Sequence, residues 1–183
     1  MAEEKLAIMT HPPSLVTERL ELRPLKKEDG GDFLSIFSNP EVTRYYEVDT
    51  MTNLLEASRL LDHFMAIGRL GISLKGDSGI IGSCGLFAIN AEYFSASLGY
   101  DLAREYWGKG IMTEALRALL GYGFSSLGLN RINALTYPGN AASIRVLAGL
   151  GFKMEGTMRE FGFWKGGFHD MDLHALLRSE WRF

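Results

Sequence analysis

The sequence predicts a single α/β domain, of the α+β or mixed α/β class, in which helices flank a sheet. Its 183 residues are enough for one domain with a substantial hydrophobic core. Hydrophobic residues make up 46% of the chain and charged residues 22%, as in ordinary globular proteins. Strand and helix periodicities succeed one another along the chain in an order typical of this class. We therefore assign residues 1–183 to one domain.

The first third of the chain is predicted to hold one strand and two helices. Residues 1–16 are expected to be a loose leader, because prolines interrupt any regular structure there. Apolar and charged residues alternate over residues 17–23, which predicts a half-buried strand. Helical spacing predicts helices over residues 27–38 and 52–67, and Asn53 is placed to cap the second.

The rest of the chain is mostly strands, which surround two more helices. We predict an antiparallel meander of three strands over residues 70–74, 79–89 and 93–102. A helix over residues 111–127, a strand over 131–137 and a short helix over 140–150 follow. The tail is predicted to be rich in strands over residues 156–177. Gly151 stands where a glycine commonly follows the end of a helix.

Charge and cysteine content narrow the classes of function. The formal net charge of −3 argues against a nucleic-acid-binding protein. The single cysteine, Cys84, allows no disulfide within the chain and favours a reducing compartment. No signal-like segment opens the chain, and no stretch approaches the roughly 18 apolar residues of a membrane span. We expect a cytoplasmic protein that does not bind membranes.

The sharpest local feature joins a predicted strand to a strongly periodic helix. It reads Trp107-Gly108-Lys109-Gly110, and the helix begins at Ile111. Two glycines let the backbone turn tightly and approach a ligand closely. The first helical turn adds unpaired N–H groups and the positive end of the helix dipole. This combination predicts a phosphate or pyrophosphate site, although Gly-x-Gly before a helix is often only a tight turn.

Two common phosphate-binding motifs do not match this loop. A P-loop requires a glycine where Ala103 stands, five residues before Gly108, and a hydroxyl residue where Gly110 stands. A dinucleotide fingerprint requires a third glycine where Thr113 stands and an acid about 20 residues later. No Asp or Glu occurs in residues 116–153, so this motif fails too.

The acid-free stretch also carries basic side chains. It therefore predicts a local positive zone in an acidic chain, which would suit a ligand with several phosphates. The basic residues are Arg117, Arg131, Arg145 and Lys153.

A second feature follows the next predicted strand. Asn140 leaves that strand and opens a helix, where its side chain can cap the helix. Ser143 lies three residues later, in the first helical turn. Taken singly, each residue fits an ordinary capping or solvated role. The segment ends at Gly151-Phe152.

Together these segments resemble the GNAT superfamily of N-acetyltransferases, and within it the Rim-type branch that acetylates the N-terminal amines of ribosomal proteins. The likeness covers most of the chain and rests on an ordered set of short motifs. These are Glu18-Arg19-Leu20-x-Leu22-Arg23-Pro24, Leu98-Gly99-Tyr100, Trp107-Gly108-Lys109-Gly110, Asn140-x-x-Ser143, Gly151-Phe152, Lys165-Gly166-Gly167-Phe168-His169-Asp170 and Glu180-Trp181.

The resemblance implies a mixed, mostly antiparallel central sheet that splays open, with the pantetheine arm of CoA lying in the splay. Acetyl-CoA would be the co-substrate, and no metal is expected. The main chain of Tyr100, Asp101 and Leu102 would pair with pantetheine and polarise the thioester carbonyl. The pyrophosphate would bind the backbone N–H groups of Gly108, Lys109, Gly110, Ile111, Met112 and Thr113.

The resemblance also assigns residues to the reaction, a direct attack of an amine on the acetyl carbonyl. Asn140 would contact the pantetheine arm, and Arg145 belongs to the positive zone that we assign to the cofactor. Many family members place a general-acid tyrosine where this chain has Leu147, so Ser143, beside the sulfur, is the candidate acid. Glu47 is the candidate base.

Several assignments stay open at this stage. Asp49 is an alternative base, and both it and Glu47 also fit a solvated loop charge. Related enzymes often carry a glutamate where Ser97 stands and a glutamine or arginine where Glu105 stands, so we expect the Glu105 side chain to point away from the pyrophosphate.

Other residues have structural or undecided roles. We predict that His63 is a surface or packed histidine, that Cys84 belongs to the core and that Trp107 packs beneath the loop. His169 and Asp170 fit either the acceptor side or a simple turn.

The acceptor amine is also open. The leading hypothesis is the N-terminal α-amine of a protein or peptide. A small amine such as an amino acid, polyamine or antibiotic is the first alternative, and a non-catalytic CoA-binding module is the second. The protein is expected to be a monomer or homodimer.

Overall fold

The computed structural model describes residues 12–182, which contain eight strands and five α-helices. The strands are β1 (Leu15–Val16), β2 (Leu20–Pro24), β3 (Leu70–Leu74), β4 (Gly82–Asn90), β5 (Ser95–Leu102), β6 (Arg131–Thr136), β7 (Lys153–Trp164) and β8 (Gly167–Leu177). The helices are α1 (Gly30–Phe37), α2 (Pro40–Thr43), α3 (Leu54–Ala66), α4 (Ile111–Gly121) and α5 (Ala141–Gly149). A π-helical turn, Tyr122–Ser126, continues α4.

The eight strands form one sheet in the order β1-β2-β3-β4-β5-β6-β8-β7. Neighbouring strands are antiparallel except β5 and β6, which are parallel. The parallel contact runs only from Ser95 opposite Arg131 to Leu98 opposite Ala134. Because β5 continues to Leu102 and β6 to Thr136, the two strands separate beyond this contact. We call this separation the opening.

Helices cover both faces of the sheet, and each face has its own hydrophobic core. Along β3, Leu70 and Ile72 are fully buried in a core that includes the apolar side of α4 and Leu147 of α5. The opposite face packs against α1 and α3, where Phe33 and Phe64 meet edge to face. Successive side chains along a strand point to opposite faces of the sheet, so each face packs against its own layer of helices.

The predicted α/β fold is confirmed, and most predicted elements lie within a few residues of the observed ones. Asn53 caps α3, since its side-chain oxygen accepts the Glu56 N–H at 3.1 Å. Gly151 follows α5 with φ +93°, a backbone conformation that favours glycine. The helix predicted over residues 111–127 ends as an α-helix at Gly121, where the π-helical turn begins.

The structure describes only residues 12–16 of the predicted leader, and these include strand β1 where we expected a loose segment. Residues 1–11 lie outside the described residues. Leu15 pairs with Leu22 of β2 and packs against the larger core, so the chain enters the sheet before the predicted first strand. The sequence pattern of β1 is too short to be recognised by periodicity.

A buried histidine on β8 makes the stability of the fold depend on pH. His174 is 4% exposed, and its Nε2 lies 3.0 Å from the Thr136 hydroxyl oxygen. Burial lowers the His174 pKa, and the negative charge of Asp172 opposes this only in part. The unfolded chain therefore takes up a proton, at its ordinary pKa of roughly 6.5, before the folded chain does.

We expect the contribution of His174 to the free energy of unfolding to be constant above neutral pH and to fall as the pH drops below about 6.5. The slope that one group contributes is at most about 1.4 kcal/mol per pH unit. Urea unfolding at several pH values measures it, and His174→Gln should remove this part of the slope. The exposed His63→Gln is the control. Equal pH profiles for wild type and His174→Gln would contradict the assignment.

Candidate active site

The opening leaves one edge of β5 without a strand partner. Gly99, Tyr100, Asp101 and Leu102 pair with β4, but their other edge faces the gap where β6 has diverged. The Leu102 carbonyl accepts a hydrogen bond from the Trp107 indole N–H at 2.7 Å, and the Trp107 ring is partly buried against the core, in agreement with the predicted packing role. The main chain of this segment can therefore pair with an extended ligand. The Leu102 carbonyl is not available for this pairing, because it already accepts from Trp107.

The glycine loop beside β5 has the conformation that its sequence suggests. Gly108 and Gly110 both have φ +74°, which disfavours other residues. A Cβ at Gly108 would meet nothing within 4 Å, and one at Gly110 only Arg19 Nη2 at 3.6 Å. The first hydrogen bond of α4 joins Glu114 N–H to the Gly110 carbonyl at 3.1 Å. The preceding N–H groups therefore have no helical acceptor and point out of the helix start.

A polar network from the turn between β1 and β2 braces this loop. Arg19 Nη1 donates to the Lys109 carbonyl at 3.1 Å, and Arg19 Nε donates to Glu114 Oε2 at 2.6 Å. The Thr17 hydroxyl donates to Glu114 Oε1 at 2.6 Å. Partial burial opposes ionisation of Glu114, but the hydrogen bonds from Thr17 and Arg19 hold its pKa below the ordinary value. Sequence reasoning missed Glu114, since its partners are remote in the chain.

A cavity of about 500 Å³ lies next to this brace. Its lining includes Gly110 and Thr113 from the start of α4, together with Arg19 and Arg117. Glu105 lines a separate cleft with Asp32, Ile80 and Tyr106, so it faces away from the helix start, as expected.

Two of the four basic residues in the predicted positive zone form ion pairs with acids that lie outside the acid-free stretch. Arg131 forms an ion pair with Glu155, and Lys153 forms one with Glu180. Arg131 also begins β6, at the end of the strand remote from the opening. Arg145 is exposed on α5, and its role in cofactor binding stays a prediction.

Ser143 contacts both Asn140 and Tyr100 at the opening. Asn140 caps α5, because its Oδ1 accepts the Ser143 N–H at 3.2 Å. The Ser143 hydroxyl oxygen lies 2.5 Å from the hydroxyl oxygen of Tyr100, on the other side of the opening. Burial raises the pKa of Tyr100 to about 12, and the Ser143 hydrogen bond opposes this rise. Tyr100 is therefore a neutral phenol near pH 7.

The Asp101 side chain belongs to the interior, unlike its main chain. Arg69 Nη2 donates to Asp101 Oδ2 at 2.5 Å, and Ser83 donates from its hydroxyl at 2.8 Å and its backbone N–H at 3.0 Å. Arg69 Nη1 also donates to the Tyr46 hydroxyl at 3.1 Å, and the guanidinium lies over the Phe64 ring at 3.9 Å. This network ties the loop after α2 to the end of β5.

Four rings pack together next to the end of β6, and we call them the aromatic wall: Tyr45, Tyr137, Trp164 and His169. The ring centroids of Tyr45 and Tyr137 lie 5.9 Å apart, and Trp164 stacks on His169 at 5.0 Å. Trp164 also donates its indole N–H to the Tyr137 hydroxyl. The wall joins the loop after α2, the end of β6 and the β7–β8 hairpin, whose Lys165 donates to the Thr43 carbonyl at 2.7 Å.

The candidate base is exposed beside this wall. Burial raises the pKa of Tyr137, and the negative charge of Glu47 adds to the rise, so the two groups are in electrostatic range. Asp49 is exposed two residues further along the same loop. Sequence reasoning did not single out Tyr137 or Trp164, although Tyr137 directly precedes the Pro138-Gly139-Asn140 turn.

The remaining candidates have structural places. His63 is exposed on α3, as predicted, and packs beside Phe64. Cys84 is fully buried in the core, and burial raises its pKa to about 12. His169 belongs to the aromatic wall, whereas Asp170 is exposed and accepts the Glu160 N–H at 2.7 Å. Ser97 pairs with Asn133 in the short parallel contact.

Residues 12–182 contain neither a metal-ligand cluster nor a membrane-spanning helix. No three His, Cys, Asp or Glu side chains come together there as metal ligands. None of the helices in this part of the chain is long and apolar enough to cross a membrane.

Comparisons of sequence and of structure with known proteins both find acetyltransferases. Residues 19–153 match the model of the acetyltransferase (GNAT) domain. The chain is 37% identical over 174 residues to the uncharacterised N-acetyltransferase p20 of Bacillus licheniformis, covering 92% of this chain and 98% of p20.

Two solved structures show the same fold. RimJ of Mycobacterium smegmatis, in complex with CoA-disulfide, superposes with a TM-score of 0.80 at 24% identity, covering 93% of this chain and 90% of RimJ. The spermidine N-acetyltransferase of Vibrio cholerae, in complex with CoA and spermine, gives a TM-score of 0.75 at 23% identity, covering 90% and 98%.

Proposed function

This chain belongs to the GNAT acetyltransferase family, and we propose that it transfers the acetyl group of acetyl-CoA to the N-terminal α-amine of a protein or peptide. The observation that carries the proposal is the unpaired edge of Gly99 to Leu102, which lies beside the glycine loop and the start of α4. Acetylation of a small amine is the second candidate, because a spermidine N-acetyltransferase has the same fold.

The residues of the opening fit the two ends of acetyl-CoA. The free main-chain groups of β5 suit the amides of an extended pantetheine arm. The loop suits a pyrophosphate, because a Cβ at Gly108 would point into open space and the N–H groups of Ile111, Met112 and Thr113 precede the first helical hydrogen bond. The side-chain N–H groups of Asn140 stay available to the pantetheine arm, since only its side-chain oxygen is used to cap α5.

The proposed reaction needs a base on one side of the opening and a hydrogen-bond donor on the other. Glu47 takes a proton from the acceptor ammonium, directly or through water, and the neutral nitrogen then forms a bond to the acetyl carbon. The C–S bond breaks, and the sulfur takes a proton from the Ser143 hydroxyl as solvent delivers another to the serine oxygen. The nitrogen releases its extra proton to solvent, which leaves the neutral amide and the thiol of CoA. Preorganised N–H groups on β5 stabilise the carbonyl oxygen as its charge develops.

The acceptor would reach the acetyl group along the aromatic wall. Half-buried rings of Tyr137 and Trp164 offer apolar surface, and Glu47 offers a negative charge for an ammonium group. A peptide N-terminus carries such a group on a flexible chain that can enter between the loop after α2 and the β7–β8 hairpin. The buried reduced Cys84 suits our expectation of a cytoplasmic enzyme.

Calorimetric binding followed by a thiol-release assay tests the function. Acetyl-CoA is titrated alone and beside NAD, and then peptides with free or acetylated N-termini are compared with spermidine as acceptors. Micromolar acetyl-CoA binding with turnover only on free N-termini supports the proposal. Preference for spermidine would shift it to the second candidate, and binding without turnover on any amine would leave a CoA-binding module.

Replacement of Glu47 tests the assignment of the base. We expect Glu47→Gln to lower kcat/KM for the amine by about 100-fold, because general-base catalysis commonly contributes that much. The readout is the pH dependence of thiol release with saturating acetyl-CoA. Asp49→Asn removes a charge from the same loop and should change the rate by less than about twofold. A larger loss in Asp49→Asn than in Glu47→Gln would assign the base to Asp49 instead.

A further inference from the structure

Tyr100 reaches across the opening to the residue that we assign to the departing sulfur. Its backbone lies on β5, in the segment that has lost β6 as a neighbour, and its ring packs against the larger core. Its hydroxyl lies 2.5 Å from Ser143 Oγ and 3.4 Å from the Ser143 carbonyl oxygen. A fixed ring thus places one hydroxyl against the first turn of α5.

Ser143 is held from two directions as a result. The Asn140 cap fixes its backbone through the Ser143 N–H, and Tyr100 contacts the side-chain oxygen. A serine hydroxyl rotates among three staggered positions and has one hydrogen to donate. When Tyr100 donates to Ser143 Oγ, the serine hydrogen is directed elsewhere and stays available to a third group.

We propose that Tyr100 is the positioning residue for Ser143, donating to its oxygen so that the serine hydrogen points at the sulfur as the C–S bond breaks. This inference rests on the proposed function and adds to it a residue whose side chain had no assigned role. Leu147, fully buried on α5, offers no hydroxyl at the opening, so the phenol that meets Ser143 comes from the opposite wall.

The contact with Ser143 separates positioning from proton donation. The Tyr100 hydroxyl lies 2.5 Å from Ser143 Oγ, so a hydrogen given to that oxygen is not available to the sulfur. Burial raises the pKa of Tyr100 to about 12, so the phenol is neutral near pH 7 and has a hydrogen to donate.

The test compares Tyr100→Phe, Ser143→Ala and the double variant with wild type in the thiol-release assay. Tyr100→Phe keeps the packed ring and removes only the hydroxyl. We expect kcat to fall about fivefold to tenfold, while KM for acetyl-CoA changes by less than about twofold. In the Ser143→Ala background, Tyr100→Phe should have almost no further effect, because the two hydroxyls act as one unit. The control is Tyr93→Phe, at a ring that is 70% exposed between β4 and β5.

Two results would overturn the inference. One is an unchanged kcat in Tyr100→Phe, and the other is an equal loss from Tyr100→Phe with and without Ser143. If wild type shows no turnover, the proposed function fails separately, and the free energy of unfolding becomes the readout. Both single variants and the double variant should then lose stability to the same extent, and unchanged or additive losses would refute the pairing.

Discussion

Gly110→Val is expected to abolish measurable acetyl-CoA binding, with a loss of affinity of at least about 100-fold. Gly110 ends the loop at the start of α4, and its φ of +74° is strained for a β-branched residue by about 1–2 kcal/mol. A side chain there would meet only Arg19 within 4 Å and would otherwise enter the space where we place the pyrophosphate. Valine would both fill that space and turn the N–H groups of the helix start away from it. Calorimetric titration measures the loss.

A matched glycine separates these effects from backbone strain alone. Gly128 has φ +68°, and a Cβ there would meet nothing within 4 Å, but this glycine lies beyond the far end of α4. Gly128→Val should therefore lose similar stability and keep acetyl-CoA affinity. Retained affinity in Gly110→Val, with the fold intact by circular dichroism, would remove the loop from the cofactor site.

Asp101→Asn is expected to lower the free energy of unfolding by about 3–5 kcal/mol. Arg69 and Asp101 are 4% and 6% exposed, and asparagine keeps the size of the side chain while removing its charge. Burial raises the pKa of Asp101, and Arg69 opposes that rise by favouring the ionised carboxylate. Arginine keeps its proton in proteins, so the variant would leave a buried positive charge without its counter-ion.

Urea unfolding measures this effect, and an exposed ion pair supplies the control. Lys27 and Asp62 pair on the surface, so Asp62→Asn should leave the unfolding midpoint unchanged. Adding Arg69→Met to Asp101→Asn should restore much of the lost stability, because it removes the orphaned charge. A destabilisation in Asp101→Asn no greater than in Asp62→Asn would show that the buried pair is not coupled.

The parts of the site that the sequence could predict are those formed by neighbouring residues. Asn140 caps α5 through Ser143, three residues away, and the capping rule needs only that spacing. The left-handed conformation of Gly108 and Gly110 likewise follows from a local turn. The meander of β3, β4 and β5 was predictable for the same reason, since short turns join its strands.

Contacts between distant segments could not be predicted in this way. Arg19 and Glu114 are 95 residues apart, and Tyr100 and Ser143 are 43 apart, so no spacing rule connects them. The positive zone was overestimated for a similar reason. Its counter-ion Glu155 lies outside the acid-free stretch and reaches Arg131 only in the folded sheet.

The short parallel contact between β5 and β6 has a consequence for folding. To form it, the chain must close the whole connection of residues 103–130, which includes α4, and it gains only a few strand pairs in return. Elsewhere in the sheet, long antiparallel pairings such as β7 with β8 form through a tight turn. The join between the two halves of the sheet thus rests on four strand pairs and requires closure of a long connection. A ligand that bridges both halves adds cohesion beyond this short contact, where the two strands have separated.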